Sequence, residues 1–394
     1  MSFTFVDSLP EHLAIVTGAV DLAALDILNP TVIRVQSGVM WLFAVDDGEG
    51  DLVWSAEQTR QAADGSFTDK VIMAVRCPPP DLATIIDADW TVLLTQAEAI
   101  AALNSAGYAA DGISDHWHIY AHGQHWIAFS YSEAGSAGVP TGKGVGLIAF
   151  DANLVRTIGP VVLFCNDQSG GWGDVQTNDL CMMETVDGVT VVVIDRVASP
   201  NMPVFLHVPT ASPTAIPGPV KLTDYAILLD SGIDRITNLG SAYYDSTSAW
   251  PYTLLLPITE EPPFVESRIL ALRLDSTFAL MAVEEVQGTL GRSAVLVPGA
   301  PRQNLAMPMR VAVGASPSPT VWTWRERTLT EPPTSMSDAG KIRLQVRDSS
   351  GRRVYGQTLA PLANRPHLTA FRSQLIVAYD YEGGAAVWVA DYAI

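Results

Sequence analysis

The sequence predicts an all-β fold, a six-bladed β-propeller of four-stranded antiparallel blades. Three observations support this: a long repeat, an apolar composition, and a last repeat that is one strand short. In the repeat, an Asn or Asp precedes an inner strand, a turn and a second strand, with gaps of 86, 63, 60, 66 and 60 residues. Repeats of this length made of short strands are typical of propellers. The six positions are Asn29, Asp115, Asn178, Asn238, Asn304 and Asn364.

The composition allows one large body. Of the 394 residues, 48% are apolar and 16% are charged, so the chain can bury an extensive core. The 10 Trp, 11 Tyr and 11 Phe suit strands that pack face to face. Because repeat folds grow by adding units, residues 1–394 are expected to form a single domain.

The last repeat supplies LTAFRSQLIVAY and AAVWVADYA before the chain stops at Ile394, one strand short of four. The offset that places a strand ahead of each repeat falls near the N-terminus on PEHLAIVTG, residues 10–18. We expect this N-terminal strand to complete the last blade, because its backbone pairing removes an exposed sheet edge.

The first repeat is longer than the others, and the excess lies in residues 58–112. Within it, DKVIMAVRC and DWTVLLTQA read as strands, whereas AEAIAALNSAGYA reads as a short helix or an irregular loop. This segment is either an elaborated blade or a damaged extra blade that raises the count to seven.

The net charge of −19 argues against a nucleic-acid partner, since 42 acidic residues outnumber 23 basic ones and no basic cluster occurs. No uncharged apolar run reaches the roughly 18 residues of a membrane span, so no membrane insertion is expected. The N-terminus lacks the basic and apolar regions of a signal peptide. The three cysteines form no CxxC pair. We therefore expect cytoplasmic synthesis.

Four of the seven histidines, His116, His118, His122 and His125, fall within ten residues. Positions 116 and 118 point to one face of a strand, and cross-strand pairing brings His118 close to His125. Neutral imidazoles placed in this way bind metals, so His116, His118 and His125 form a candidate metal site. The alternative, which we favour, is that these histidines fill polar positions at the pore or the turn.

The recurring Asn and Asp side chains are suited to capping backbone groups where each inner strand begins. The functional alternative is that they line the mouth of a central channel, where a divalent cation is the one cofactor to consider. Asp179 and Asp234 lie near the same face, and Glu184 lies further along an inner strand. Arg235, Arg310 and His367 add donors there. Asp115 stands out as the one carboxylate of the set, beside the histidines.

These acidic positions resemble those of glycan-acting propellers, including the sialidase-like ones. The resemblance implies a base, a pKa-modulating carboxylate and an acid around an axial pocket, since one carboxyl must protonate the leaving oxygen while another activates water or attacks. The chain departs from sialidases, because ASPSPTVWTW, its nearest approach to their Asp-box turn, lacks both the Asp and the Gly. It also lacks the arginine cluster that binds sialic acid. The matching positions are Asp115, Asp179, Glu184 and Asp234.

Aromatic residues in or beside loops are candidates for stacking on sugar rings or anchoring a protein interface, although packing between blades explains them equally well. Together with the acidic and histidine positions above, they give the candidate ligand-binding residues Asp115, His116, His118, Trp172, Tyr243, Tyr244 and His367.

The functional prediction from sequence is a non-catalytic binding or assembly module for a glycan or protein partner. A component of a virion, such as a phage tail or host-attachment protein within a larger assembly, fits an acidic, unexported propeller. The alternative is a glycoside hydrolase or lyase with carboxylates at the channel mouth. No GxSxG or HExxH motif points to another reaction.

Overall fold

The computed structural model of the chain describes residues 26–37, 39–61, 67–77, 89–107, 110–132, 142–165, 175–195, 202–214, 220–222, 234–236, 239–260, 267–288, 302–313, 318–329, 340–348, 353–381 and 384–393. Most of these residues lie in antiparallel β-sheets. Within these ranges no helix has the length and apolar character needed to cross a bilayer.

The first three sheets are antiparallel meanders of four strands each, in chain order. Sheet I contains β2 (Val39–Asp46), β3 (Leu52–Gln61), β4 (Phe67–Cys77) and β5 (Thr91–Thr95). Sheet II contains β6 (Gly112–Ala121), β7 (Gln124–Ser132), β8 (Gly142–Phe150) and β9 (Arg156–Cys165). Sheet III contains β10 (Val175–Glu184), β11 (Gly188–Asp195), β12 (Met202–Pro209) and β13 (Val220–Lys221).

The remaining sheets depart from a plain four-strand pattern. In sheet IV two short strands, β14 (Asp234–Ile236) and β15 (Ala242–Tyr244), pair with β16 (Tyr252–Glu260), followed by β17 (Ser267–Leu274) and β18 (Leu280–Gly288). Sheet V contains β19 (Arg302–Ala312), β20 (Thr320–Leu329), β21 (Gly340–Arg347) and the first half of β22 (Arg353–Phe371). Sheet VI contains the second half of β22, β23 (Gln374–Tyr381), β24 (Gly384–Ala393) and β1 (Asp26–Ser37).

The strand that completes sheet VI is β1, which pairs antiparallel with β24 from Asp26↔Ala393 to Ser37↔Gly384. Residues 10–18, which the sequence analysis assigned to this position, lie outside the described residues, and the strand seen beside β24 is the later segment Asp26–Ser37. Asn29 belongs to this outer strand and does not open an inner strand. Its neighbour Pro30 has no N–H to donate, and the ladder shifts register there, as Pro requires on an edge strand.

Residues 58–112 elaborate sheet I. The two strands expected there are β4 and β5, and they pair with each other. The expected short helix is α1 (Gln96–Ser105), whose N-terminus carries a capping box. The Thr95 hydroxyl accepts from the Glu98 N–H, and the Glu98 carboxylate accepts from the Thr95 N–H, so two otherwise unpaired helix donors are satisfied.

The sheets stack side by side, and this explains why central strands of the sheets read as continuous apolar runs. All eight residues of β11 are buried, as expected for a strand covered on both faces. Each sheet contacts the next one along the chain, and β2 of sheet I contacts β22, β23 and β24 of sheet VI. The main core cluster draws buried residues from all six sheets.

Four inner strands carry a β-bulge at one end, with a non-glycine residue in the left-handed region. These residues are Trp41 (φ 53°), Asp115 (φ 46°), Met307 (φ 52°) and Arg365 (φ 51°), and the strand register shifts at each. Bulges re-aim side chains and are frequent next to binding sites. The recurring bulge therefore singles out this end of the sheets, called here the bulge end.

A five-residue turn also recurs. Its first residue is an aspartate whose Oδ1 accepts the N–H groups of the residues two and four positions later. The residue three positions later has a positive φ. The aspartates are Asp47, Asp151 and Asp275, followed by Gly50, Leu154 and Phe278 at the positive-φ position. The sequences of these three turns share only the aspartate, so they form no recognisable motif.

Candidate active site

Arg365 lies at the centre of a charged cluster at the bulge end. Its guanidinium carbon lies 4.2 Å from the centroid of the Trp41 ring, and its Nη1 lies 3.1 Å from Asp380 Oδ2. The other oxygen of Asp380 accepts the Trp41 backbone N–H at 2.9 Å. The bulge at Trp41 turns this N–H away from the ladder, so the carboxylate of β23 holds the inner strand of the neighbouring sheet.

Asp115 reaches the same guanidinium from sheet II. Its Oδ1 lies 4.0 Å from Arg365 Nη2, and 14% of its side chain is exposed, against 23% for Arg365 and 11% for Asp380. Two carboxylates from different sheets therefore lie against one cation, and Asp115 is the more accessible of the two.

Glu57 supplies a third carboxylate from β3. Its Oε2 lies 3.5 Å from Lys70 Nζ, and its Oε1 lies 3.3 Å from His116 Nδ1. Only 6% of its side chain is exposed. The cluster thus combines three carboxylates from sheets I, II and VI with the cations of Lys70 and Arg365.

The environments of two of these carboxylates push their pKa values apart. Burial raises the pKa of Asp380 to about 6, against the opposing effects of Arg365 and the Trp41 N–H. Burial also acts to raise the pKa of Glu57, but the His116 hydrogen bond and the charges of Lys70 and Arg365 hold it below its usual range. Burial opposes the charge of Arg365, but the nearby carboxylates of Asp380, Asp115 and Glu57 raise its pKa.

Asn364 caps the backbone as the sequence suggested. Its Oδ1 accepts the Arg365 N–H at 3.0 Å and a hydrogen bond from Arg325 Nη1 at 2.5 Å. Asp115 and Arg365 occupy equivalent positions, because each is the positive-φ residue of the bulge in its strand. The repeat read from the sequence paired Asp115 with Asn364, which is one residue too early. The Asn178 and Asn304 positions fall in β10 and β19. The side chains of Asn29, Asn178 and Asn304, and all of Asn238, lie outside the described residues.

Of the other acidic candidates, Glu184 is far from the cluster. It ends β10 beside the β10–β11 hairpin, with 44% of its side chain exposed and its Oε1 3.9 Å from His122 Nε2. His122 itself lies at the β6–β7 hairpin, six residues beyond His116, which corresponds to about 20 Å along a strand. The Asp179 and Asp234 side chains and that of Arg235 lie outside the described residues.

The histidines divide into two groups. His118 Nε2 lies 3.0 Å from His125 Nδ1, as the cross-strand argument expected, and both rings are buried. Their remaining nitrogens have no hydrogen-bond partner in the described structure. His116 instead directs its nitrogens at Ser55 and Glu57. Among the described residues, no group of three or more His, Cys, Asp or Glu side chains has the arrangement of a metal site.

His367 is buried beneath the cluster. Its Nδ1 accepts the Ala44 N–H at 3.5 Å, and its ring lies 4.5 Å from that of Phe43. Burial, with the nearby His116, lowers the pKa of His367 to about 3, so the ring is neutral at physiological pH. His367 therefore connects sheet VI to sheet I as a neutral hydrogen-bond acceptor.

The aromatic candidates lie elsewhere. Arg310 stacks on Tyr243 at 4.7 Å from the ring centroid, and Tyr244 lies 5.6 Å from the ring of Tyr252. Both tyrosines are in β15, away from the cluster, and Trp172 lies outside the described residues. Trp322 and Trp324 are buried, which fits packing between sheets.

Sequence reasoning missed most of the cluster. Asp115 and His116 were singled out, but Trp41, Glu57, Arg365 and Asp380 were not. The available signal was a charged residue within an otherwise apolar strand, as in the VWSAEQ of β3 and the LIVAYDY of β23. Such residues are rarely buried unless they are paired, so they mark buried polar sites.

No protein-family model matches this sequence, and no curated protein matches it. Solved structures do match. A protein of unknown function from Dyadobacter fermentans aligns over 94% of this chain and 100% of its own, with a TM-score of 0.59 and 10% identity. An α-L-arabinofuranosidase from Fusarium graminearum, solved with arabinobiose, aligns over 91% and 96%, with a TM-score of 0.51 and 10% identity.

Trypanosoma rangeli sialidase, solved with sialic acid, aligns over 91% of this chain and 55% of its own, with a TM-score of 0.50 and 10% identity. This chain therefore spans about half the length of that sialidase. At such low identity the likeness shows a shared fold alone. The arabinofuranosidase and the sialidase have β-propeller folds, which agrees with the all-β antiparallel class predicted from sequence.

Proposed function

We propose that this protein is a glycoside hydrolase built on a six-bladed β-propeller, with its active site at the bulge end. The observation that carries the proposal is the convergence of Glu57, Asp115 and Asp380 from three sheets around the Arg365 guanidinium. Glycoside hydrolysis uses paired carboxyl groups in different protonation states, and this cluster contains carboxyl groups whose pKa values diverge. The fold shared with an arabinofuranosidase and a sialidase supports the same class of reaction.

The six-bladed arrangement is part of this proposal. Sheets I to VI are the six blades, and closure occurs where β1 pairs with β24 while β2 packs against sheet VI. Hydrogen bonds from Trp41 to Asp380 and from Ala44 to His367 cross that junction. In a closed ring the bulge ends of all inner strands lie around one axis, which is where propellers bind ligands.

The divergent pKa values assign the catalytic roles. Asp380, with a pKa of about 6, retains its proton in mildly acidic solution and donates it to the leaving oxygen. Glu57 remains ionised and either activates water or attacks the anomeric carbon. Asp115, the most exposed of the three, accepts hydrogen bonds from sugar hydroxyls while Arg365 balances the charge.

This proposal reverses the preference drawn from sequence. The structural relatives favour the hydrolase alternative over a non-catalytic binding module, and a glycan partner is common to both. No finding supports a phage-tail or virion component or a partner within an assembly.

The test is hydrolysis of a panel of aryl glycosides and plant and animal glycans by the purified chain. Asp380→Asn and Glu57→Gln are each expected to reduce kcat/KM by at least about 100-fold, the usual effect of removing a catalytic acid or base. Glu184→Gln makes the same carboxylate-to-amide change away from the cluster and leaves activity unaltered. Glycan binding without turnover by the wild-type chain refutes the hydrolase, and an unsaturated sugar product identifies a lyase.

A further inference from the structure

His116 joins sheets I and II through both nitrogens of its ring. Its Nε2 lies 3.1 Å from the Ser55 hydroxyl and its Nδ1 lies 3.3 Å from Glu57 Oε1. Ser55 and Glu57 are two residues apart on β3, so both side chains face β6. The imidazole and the serine have no exposed surface, and Glu57 is 5% exposed.

The connectivity is that of a serine–histidine–acid triad, but the serine is not placed to attack a substrate. A nucleophile must reach the reacting carbon, and Ser55 is fully buried. The end of this chain of hydrogen bonds that reaches the candidate site is the acid, since Glu57 continues to Lys70 at 3.5 Å and borders the Arg365 cluster. The triad therefore acts on Glu57.

The hydrogen-bond pattern determines which ring nitrogen carries the proton. The lowered pKa of Glu57 means that it is ionised at neutral pH, and an ionised carboxylate only accepts hydrogen bonds. His116 Nδ1 must then donate. In the neutral ring Nε2 becomes an acceptor, and the Ser55 hydroxyl is the donor that satisfies it.

We propose that His116 is a positioning residue, held as the Nδ1–H tautomer by Ser55, which orients the ionised Glu57 carboxylate beside the Arg365 cluster. The catalytic meaning of this inference rests on the proposed glycoside hydrolase function, whereas the tautomer and the hydrogen bond do not. The Nδ1–H tautomer is preferred for an electrostatic reason, because the hydrogen bond that Nδ1 donates stabilises the charged Glu57 carboxylate in its buried setting.

Several charged or titratable groups surround this hydrogen bond. Lys70 on β4 and Arg365 on β22 stabilise ionised Glu57, and Asp380 on β23 opposes it through like charge. His118 on β6 and His367 on β22 lie close enough for a charge on His116 to lower their pKa values.

The test compares two amide substitutions that each preserve one nitrogen position. Asn in His116→Asn places its amide near Nδ1 and keeps a donor to Glu57, whereas Gln in His116→Gln places its amide near Nε2 and keeps the contact with Ser55. The apparent pKa of the acid limb of the pH–activity profile is expected to rise by about one unit in His116→Gln and to stay near the wild-type value in His116→Asn. Equal shifts in both variants refute the proposal.

A second measurement needs no substrate. Nitrogen-15 labelling of the seven histidines gives few signals, and the signal lost in His116→Asn assigns His116. The expected pattern at neutral pH is a neutral ring protonated at Nδ1, and Ser55→Ala is expected to increase the share of the other tautomer. A ring protonated at Nε2, or at both nitrogens, overturns the inference. If the wild-type chain hydrolyses no glycan, the proposed function fails while this measurement still decides the tautomer.

Discussion

Arg365 stacks on Trp41 with its guanidinium carbon 4.2 Å from the ring centroid, and each residue is the left-handed residue of the bulge in its own inner strand. The left-handed region costs roughly 1 kcal/mol or more for a non-glycine residue. Here the bulge frees the Trp41 N–H for Asp380, and Asp380 also pairs with Arg365. The same backbone distortion in two neighbouring strands thus builds one face of the candidate site.

Removing the cation is expected to destabilise the fold in a pH-dependent way. Arg365→Met leaves Asp380 and Asp115 without their shared partner, and breaking a buried pair costs about 3–5 kcal/mol. The loss is expected to be smaller at pH 5 than at pH 8, because the raised pKa of Asp380 lets it take up a proton in the acid range. Urea unfolding at both pH values measures this. Arg372→Met, at an exposed arginine, serves as the control.

The buried His125 is expected to make the protein acid-sensitive. Burial lowers its folded-state pKa from 6.5 to about 4, so below pH 6.5 the unfolded chain takes a proton that the folded chain refuses. The free energy of unfolding is therefore highest above pH 6.5 and falls as the pH drops towards 4, by about 2 kcal/mol between pH 6.5 and 5. His125→Phe is expected to flatten this slope. Phe150→Leu, in the same ring stack, is expected to lower stability without changing the slope.

The recurring aspartate turn is expected to contribute measurable stability at each copy. Asp275 accepts hydrogen bonds from the Thr277 N–H, the Thr277 hydroxyl and the Ala279 N–H. Asp275→Ala should cost about 1 kcal/mol because two backbone donors lose their partner. Thr277→Val removes only the hydroxyl contact and should cost less. Thermal unfolding ranks the two variants, and the reverse order contradicts the turn's role.

Gly188 is expected to tolerate no side chain. A Cβ built there lies 2.1 Å from the Val208 carbonyl oxygen, a backbone atom within the same sheet. Gly188→Ala therefore requires strands β11 and β12 to separate, at a cost of about 1–3 kcal/mol or more. Gly107→Ala is the matched control, because its Cβ meets nothing within 4 Å and only its φ of 89° is strained. Equal losses in both variants would falsify the steric argument.

Local patterns sufficed for several elements. The strands of residues 58–112 were predicted, and a short helix was one of the two alternatives for the segment that forms α1, because hydrophobic periodicity acts within a few positions. The need for an N-terminal strand in the last sheet was also anticipated, but its position was not. TVIRVQS and VMWLFAVD are both apolar strands separated by Gly38, and nothing local shows that β1 and β2 belong to different sheets.

The sequence by itself determined an all-β chain of repeated antiparallel strands and marked Asp115 and His116 as unusual. Only the tertiary structure decided which side chains surround them. Trp41 and Asp380, 339 positions apart, form one hydrogen bond, and Ser55 and His116 meet from different sheets. The physical reason is that strand alternation determines which face a side chain takes, whereas the packing of whole sheets determines what that face meets. The bulges add a second reason, because a one-residue insertion re-aims a side chain without leaving a sequence signature.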